Sequence, residues 1–170
     1  AAGVAPATAG DIDLVAQLEQ TITAIGAYST TARAGFTTGE ALAPNQAWSI
    51  LGLAMTGRAI PPEAIDYLKG LQSADGSWLE SDPDTTGLAV VALMSTGQVS
   101  VSDPTVARAL GFFRATQLPN GGWRPGWDTE PLNVDSTAWA IQALLSCGYT
   151  FPLTTWQQTT PPEDSLAAAQ

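Results

Sequence analysis

Residues 67–78 read Tyr67-Leu-Lys-Gly-Leu-Gln-Ser-Ala-Asp-Gly-Ser-Trp78, and residues 112–123 repeat the pattern as Phe112-Phe-Arg-Ala-Thr-Gln-Leu-Pro-Asn-Gly-Gly-Trp123. In both copies an aromatic, an apolar and a basic residue precede a Gln, an Asp-Gly or Asn-Gly pair, and a Trp. The pattern indicates an amphipathic helix that ends in a tight turn, because Asp-Gly and Asn-Gly adopt positive φ readily. Two copies in register predict a repeat architecture.

A second repeated pattern follows these turns. The copies are Pro44-Asn-Gln-Ala-Trp-Ser-Ile-Leu-Gly-Leu-Ala-Met-Thr-Gly57, which is the weakest, Asp84-Thr-Thr-Gly-Leu-Ala-Val-Val-Ala-Leu-Met-Ser-Thr-Gly97, and Asp135-Ser-Thr-Ala-Trp-Ala-Ile-Gln-Ala-Leu-Leu-Ser-Cys-Gly148. A segment that is apolar nearly all round is typical of a helix buried on most sides, and a Gly commonly ends such a helix. We therefore expect buried helices to alternate with amphipathic ones.

The alternation predicts an all-α fold of about six helices, built from α/α hairpins with a period of about 40 to 51 residues. We expect the hairpins to form a partial, or half, toroid. Small residues at matching sites of the buried helices, such as Gly52 and Gly87, would let neighbouring helices approach closely. The predicted organisation is an N-terminal tail at 1–10, the repeat domain at 11–150, and a tail or short capping helix at 151–170.

Local signals predict where elements begin and end. Asp11 is placed to cap a first helix that runs to about Ala27. Gly35-Phe36 has the composition of a degenerate copy of the repeated turn. Asp84 and Asp135 stand at equivalent helix starts, where a carboxylate accepts backbone N–H bonds and meets the positive end of the helix dipole.

The composition excludes several classes of function. Six Lys and Arg against sixteen Asp and Glu give a net charge of −10, and such a field repels nucleic acid. The chain has no His and a single cysteine, Cys147, so an intrachain disulfide, a His-based zinc site and a Ser-His-Asp triad are excluded. No apolar run reaches the roughly 18 residues of a spanning helix. We expect no metal, no cofactor and no membrane span.

The start of the chain suggests where the protein works. It begins with small residues and without Met, which suits a mature chain after removal of a signal peptide. Charged residues make up only 13% of the chain, and Thr and Ser are abundant. We therefore expect an extracellular or cell-surface location.

Leu68-x3-Gln72-x3-Gly76-x-Trp78 and Phe113-x3-Gln117-x3-Gly121-x-Trp123 resemble the QW repeat of squalene–hopene and oxidosqualene cyclases. Asp135-Ser-Thr-Ala-Trp-Ala-Ile-Gln-Ala-Leu is similar to the inner-helix pattern of that superfamily, which also contains protein prenyltransferase β-subunits and secreted bacterial members without assigned chemistry. The resemblance covers about residues 40–150. It implies that the Gln caps a helix end and that the Trp stacks in the turn, at the structural motif Gln72, Gly76, Trp78, Gln117, Gly121 and Trp123.

Asp82-Pro-Asp84-Thr85 is similar to the Asp-x-Asp-Asp motif of class II terpene cyclases. In that motif the middle acid protonates an alkene or epoxide, so the resemblance would make Asp84 the general acid beside Asp82. The last Asp of the motif is Thr85 here. Because Asp135 matches Asp84 at another helix start, helix capping is the favoured interpretation of Asp84.

The superfamily's other activities fit less well. The prenyltransferase zinc needs a His, which the chain lacks. A complement-type thioester needs Cys-Gly-Glu-Gln, and Cys147 is followed by Gly148 and Tyr149.

Half a ring leaves apolar flanks on its terminal hairpins, and repeat arrays need capped ends. We therefore predict a non-enzymatic extracellular domain that self-assembles as a surface or filament subunit, a homo-oligomer or polymer joined through its terminal hairpins and tails. Two alternatives remain open. One is a small-ligand binding module for an isoprenoid, cobalamin or a glycan, with Trp127, Asp128, Asp84 and Asp135 as candidate residues. The other is a fragment of a class II terpene cyclase, with Asp82 and Asp84 as catalytic candidates.

Overall fold

The computed structural model describes residues 12–28 and 42–150. Within these two ranges the chain forms α-helices and no β-strand, and its bridges are isolated pairs at turns. The helices are α1 (Leu14–Glu19), α2 (Leu42–Met55), α3 (Pro62–Gly70), α4 (Pro83–Ser95), α5 (Pro104–Thr116) and α6 (Val134–Ser146). The predicted all-α fold of about six helices is confirmed. The predicted tails at 1–10 and 151–170, and the turn proposed at Gly35-Phe36, lie outside the described residues.

The helices pack in two layers. Helix α4 lies between α2 and α6, and these three form the inner layer. Helix α3 packs against α2, and α5 packs against α4, so both belong to the outer layer. The inner helices are those with the repeated apolar pattern and the outer ones are amphipathic, which confirms the predicted arrangement of hairpins in a partial toroid.

Helix α4 is the centre of the core. Its residues from Thr85 to Val90 are buried, and so are Ala92 and Leu93. Gly87 faces α6 so closely that a Cβ atom there would lie 2.7 Å from the carbonyl oxygen of Trp139. The predicted close approach of inner helices is confirmed at Gly87, whereas Gly52 of α2 faces open space.

The first helix differs from the prediction. Helix α1 begins at Leu14, with Asp13 as the N-cap whose carboxylate accepts from the backbone N–H of Ala16. It ends at Glu19 rather than near Ala27. The residues that were expected to continue the helix form a turn instead, in which the backbone N–H of Thr23 donates to the carbonyl of Ala27 at 2.8 Å and Gly26 has a φ of 85°.

The inner helices are less buried than predicted. Trp48 and Met55 of α2 are 54% and 79% exposed, and Leu145 of α6 is also exposed. The described part of the chain leaves these side chains without full cover. The structure therefore presents an open inner face that carries large apolar side chains.

Candidate functional site

The repeated Trp fastens each outer helix to the next inner helix. The indole Nε1–H of Trp78 donates to the carbonyl of Leu68 on α3 at 2.8 Å, and its backbone N–H donates to the hydroxyl of Thr86 on α4 at 3.0 Å. Both Trp side chains are fully buried. The second copy makes the same two bonds, from Trp123 to Phe113 and to Thr137. These contacts fix the position at which each inner helix starts.

Gln117 is the C-cap residue of α5, as the resemblance implies, whereas Gln72 follows Leu71, the C-cap of α3. The side chains of both Gln residues bond to the turn rather than to the helix end. The side-chain N–H of Gln72 donates to the carbonyl of Gly76 at 2.9 Å and to that of Thr105 at 2.8 Å. Gln117 donates in the same way to Gly121, at 2.7 Å. Gln72 therefore joins its turn to the start of the next outer helix, α5.

A third copy of the turn lies at Gly26–Tyr28, where sequence reasoning did not place one. Gly26, like Gly76, has positive φ, and Tyr28 is buried in the position of Trp78. The signal that could have found it is the spacing Leu18-x3-Ile22-x3-Gly26-x-Tyr28, which matches the other copies with Ile in place of Gln and Tyr in place of Trp.

Asp84 and Asp135 are not the helix caps, which corrects the favoured interpretation. The N-cap of α4 is Asp82, whose carboxylate accepts from the backbone N–H of Asp84 at 3.3 Å and of Thr85 at 3.0 Å. The N-cap of α6 is Asn133. Because Pro83 takes the first helical position, the cap falls at residue 82 and Asp84 lies inside the first turn.

The carboxyl group of Asp84 lies in a gap between α4 and α6. Its Oδ1 atom is buried and has no hydrogen-bond partner, and the same holds for the hydroxyl oxygen of Ser136 on α6. The two side chains interact electrostatically without reaching hydrogen-bonding geometry. A buried carboxyl oxygen without a partner is unusual, because the desolvation of a charged oxygen is unfavourable.

The surroundings of Asp84 raise its pKa above the ordinary value of 3.8. Burial is the largest cause, since it disfavours the charged form. The nearby carboxylates of Asp82 and Asp135 raise the pKa further, while the hydroxyl of Ser136 lowers it in part. Asp84 therefore holds its proton at a higher pH than an exposed Asp does.

Two aromatic side chains of the inner helices α2 and α6 contact each other. The rings of Trp48 and Trp139 meet edge to face, with centroids 5.7 Å apart and an interplanar angle of 80°. Since α2 and α6 flank α4, this contact crosses α4. Trp139 touches Gly87, which follows Asp84 by one helical turn on the same side of α4. The inner face thus combines a half-buried acid with two large aromatic rings.

The other candidate residues do not join this arrangement. Trp127 is 78% exposed, and Asp128 accepts hydrogen bonds from the backbone of Glu130 and the side chain of Asn133. Those two bonds, in that order, lower the pKa of Asp128. Within residues 12–28 and 42–150, no hydrogen bond, ion pair or ring contact joins either residue to Asp84.

Three further features of the described chain bear on function. A shallow groove of about 470 Å³ lies beside α3, lined in part by Ile25, Glu63 and Tyr67, and it does not include the inner face. Among the described residues, no three His, Cys, Asp or Glu side chains are grouped as a metal site. No helix there has both the length and the apolar character needed to cross a membrane.

Comparison with known proteins finds relatives among terpene cyclases. No family model matches the chain, and no solved structure does. The chain is 28% identical over 101 residues to an alpha-onocerin synthase of Lycopodium clavatum, and 33% identical over 99 residues to a lanosterol synthase of Saccharomyces cerevisiae. It is 35% identical over 103 residues to a drimenyl diphosphate synthase of Streptantibioticus cattleyicolor.

These matches cover 51%, 51% and 55% of this chain, which in turn covers 13%, 14% and 19% of the three relatives. They support a place in the terpenoid cyclase-like superfamily. They also overturn the predicted non-enzymatic assembly function, because the relatives are enzymes and nothing in the comparisons supports a filament or surface subunit. That prediction relied on uncovered apolar flanks, and an enzyme domain can have an uncovered apolar face for its substrate or for the rest of its own chain.

Proposed function

We propose that this chain carries the acid-bearing part of a terpene cyclase-type active site, in which Asp84 is the general acid. The proposed substrate is an isoprenoid with a carbon–carbon double bond or an epoxide, and the reaction begins with its protonation. The observation that carries the proposal is the buried Oδ1 of Asp84, which has no hydrogen-bond partner. Burial first, and then the charges of Asp82 and Asp135, raise the pKa of this carboxyl group. The substrate class is taken from the relatives, which are named as an alpha-onocerin synthase, a lanosterol synthase and a drimenyl diphosphate synthase.

The chemistry needs a carboxylic acid that is protonated before the substrate arrives. Burial and the two neighbouring carboxylates favour this state in Asp84. On transfer to an alkene, the carboxyl O–H bond breaks and the π electron pair forms a new C–H bond, which leaves a carbocation. On transfer to an epoxide, the new bond is O–H and a C–O bond breaks. In both cases Asp84 becomes a carboxylate.

Ser136 is placed to accommodate that carboxylate. Its hydroxyl is fully buried and has no hydrogen-bond partner, and it lies against the Asp84 carboxyl group. Rotation of the hydroxyl would bring a donor to the carboxylate after proton transfer. A hydrogen-bond donor that binds the carboxylate more strongly than it binds the protonated acid promotes the proton transfer.

The aromatic pair suits the cation that follows. Trp139 lies against Gly87, three residues after Asp84, and its ring contacts that of Trp48. The face of an indole ring attracts a cation within about 6 Å. The apolar surface of the two rings also suits a hydrocarbon chain. In this proposal Asp84 supplies the proton, and the two rings stabilise the carbocation that forms next.

The departure from the Asp-x-Asp-Asp pattern has a structural explanation in this proposal. Thr85 stands where the motif has its last Asp, and its hydroxyl donates to Asp82 Oδ2 at 2.6 Å. Asp82 accepts two further bonds, from the backbone N–H groups of Asp84 and Thr85. Asp82 is thus an anchoring cap with a negative charge near Asp84, and Asp84 alone has the role of acid.

The test is isotope incorporation by the full chain in D2O. The probes are squalene, its 2,3-epoxide and farnesyl diphosphate, which cover a triterpene hydrocarbon, an epoxide and a prenyl diphosphate. We expect mass spectrometry to find one carbon-bound solvent deuteron in the product of squalene or farnesyl diphosphate. For the epoxide, whose new O–D bond exchanges with water, the expected result is formation of the cyclised product itself. We expect Asp84→Asn to reduce the rate by about 10² to 10⁴-fold, the usual range for loss of a general acid.

The matched control is Asp66→Asn, which changes an exposed Asp on the outer helix α3 and should leave the rate unchanged. The proposal is wrong if neither alkene probe takes up deuterium at carbon and the epoxide gives no cyclised product. It is also wrong if Asp84→Asn incorporates deuterium as fast as the unaltered chain does.

A further inference from the structure

An unusual backbone segment stands directly before α4. Leu79, Glu80 and Ser81 have φ angles of 56°, 49° and 63°, in the left-handed region that L-residues other than Gly, Asn and Asp rarely adopt. Within the described ranges they are the non-glycine residues with positive φ. Such strain persists where surrounding contacts enforce it, and it concentrates at functional sites.

The contacts that enforce this segment converge on Asp75. Its Oδ2 accepts from the hydroxyl of Ser81 at 2.6 Å, and its Oδ1 accepts from the hydroxyl of Ser77 at 2.7 Å and from the backbone N–H of Ser77 at 3.0 Å. The hydroxyl oxygen of Ser77 in turn accepts from the backbone N–H of Ser81 at 3.0 Å. One carboxylate thus joins Ser77, two residues before the left-handed segment, to Ser81, the last residue of the segment.

The segment determines where α4 begins. Ser81 immediately precedes the cap Asp82, and Trp78 and Asp82 form a bridge across the segment. In the next repeat, the bridge joins Trp123 to Asn133, which are farther apart in sequence, and no residue between them has a positive φ. The short, strained connection is therefore specific to the helix that carries Asp84.

We propose that Asp75 is a positioning residue for Asp84: by holding Leu79–Ser81 in the left-handed conformation, it fixes the first turn of α4 and keeps the Asp84 carboxyl group in the gap against α6. Its consequence for catalysis rests on the proposed function, but the positioning itself can be measured without a substrate.

The pKa of Asp84 is the quantity that reports on the position of its carboxyl group, because it depends on the groups that surround that carboxyl. Asp82 on its own helix start, and Asp135 and Ser136 on α6, are the groups whose interactions affect its proton affinity, together with burial. Asp75 is not among them. If the first turn of α4 loosens, Asp84 moves into water, and its pKa falls towards the ordinary value because burial is the main cause of its elevation.

The experiment is a titration of the Asp84 carboxyl carbon by ¹³C NMR in the full chain, assigned with Asp84→Asn. We expect Asp75→Ala to remove at least half of the elevation of the Asp84 pKa, and to speed amide hydrogen exchange at Leu79–Ser81 by at least tenfold. Asp75→Asn should preserve the titration, because its amide oxygen still accepts from Ser77 and its amide N–H donates to the Ser81 hydroxyl. Ser81→Ala, which deletes one of the four bonds, should lower the Asp84 pKa by a smaller amount.

Asp13→Ala, which removes the cap of α1, is the control for general destabilisation and should not move the Asp84 titration. The inference is overturned if the Asp84 titration is unchanged in Asp75→Ala, or, should that variant fail to fold, unchanged in Ser81→Ala. Equal shifts in Asp75→Ala and Asp75→Asn would also contradict it, since charge rather than geometry would then be responsible. None of these measurements uses an isoprenoid, so their failure is distinct from failure of the deuterium test.

Discussion

Gln46 and Gln72 donate side-chain N–H groups to equivalent carbonyls of two repeated turns, those of Gly26 and Gly76, at 2.9 Å in both cases. They reach these carbonyls from different places, because Gln46 lies on an inner helix and Gln72 lies just after an outer one. Gln46 also accepts from the backbone N–H of Tyr28 at 2.8 Å, which is the bond that Thr86 makes with Trp78. In the first repeat, one buried side chain supplies contacts that two side chains supply in the second.

This relationship predicts that Gln46 is a major contributor to stability. Gln46→Thr should lower the free energy of unfolding by about 2 kcal/mol, since its two N–H bonds disappear and buried carbonyls are left without donors. Ile22→Gln places a Gln at the position of Gln72 and should recover part of the loss when the two changes are combined. Denaturant unfolding of the two single variants and the double variant measures the coupling. If the free-energy changes of Gln46→Thr and Ile22→Gln simply add in the double variant, a Gln at residue 22 does not replace the contacts of Gln46.

Gly87 should be intolerant of any side chain. A Cβ atom at residue 87 meets the backbone of Trp139 at 2.7 Å, so Gly87→Ala must separate α4 from α6 and should destabilise the chain by about 1–3 kcal/mol. The control is Gly52→Ala, which faces open space in α2 and should stabilise by up to about 1 kcal/mol through helix propensity. Thermal unfolding compares the two, and equal effects would be inconsistent with the tight contact.

Relief of the left-handed backbone should stabilise the protein. Glu80 is exposed and has a φ of 49°, so Glu80→Gly should raise the free energy of unfolding by about 1 kcal/mol. Glu63→Gly provides the comparison, because Glu63 lies in the first turn of α3 and the same change there should cost up to about 1 kcal/mol. If denaturant unfolding finds that both substitutions destabilise, the segment is not left-handed in solution.

The pH dependence of stability should have opposite signs at Asp84 and Asp103. The folded-state pKa of Asp84 is raised, so the folded protein binds its proton more tightly, and this contribution to stability is present below the unfolded pKa of about 3.8 and lost as pH rises through the folded pKa. Asp84→Asn should therefore be more stable than the unaltered chain at pH 7, with a gain that disappears towards pH 3.

Asp103 gives the contrasting case. A 2.7 Å bond from Lys69 is the main cause that lowers its pKa, so its contribution is present above about 3.8 and lost as pH falls through the folded pKa. Asp103→Asn should lower the melting temperature at pH 7 and have little effect near pH 2. Melting curves of both variants between pH 2 and 8 check the two signs. If the melting temperatures of the two variants change with pH in the same direction relative to the unaltered chain, the pKa of Asp84 is not raised in the folded protein.

Much of the scaffold is predictable because its signals are local. The apolar pattern of α4 and the amphipathic pattern of α5 lie within single helices, and Asp-Gly and Asn-Gly mark turns through their own backbone preferences. The third turn escaped prediction because Tyr28 and Ile22 replace the expected Trp and Gln. Its missing bonds come from Gln46, a residue that is distant along the chain.

The sequence by itself determined that this protein is an all-α array of repeated hairpins, because helix periodicity and turn chemistry depend on residues that are neighbours in the chain. Only the tertiary structure decided that Asp82 caps α4 while Asp84 lies half-buried without a partner for Oδ1, and that Trp48 and Trp139 meet across α4. The proton affinity of a carboxyl group depends on how α6 packs against α4, which no pattern within either segment encodes. For the same reason, the sequence favoured an assembly role, whereas the packed helices show a half-buried acid whose Oδ1 has no hydrogen-bond partner.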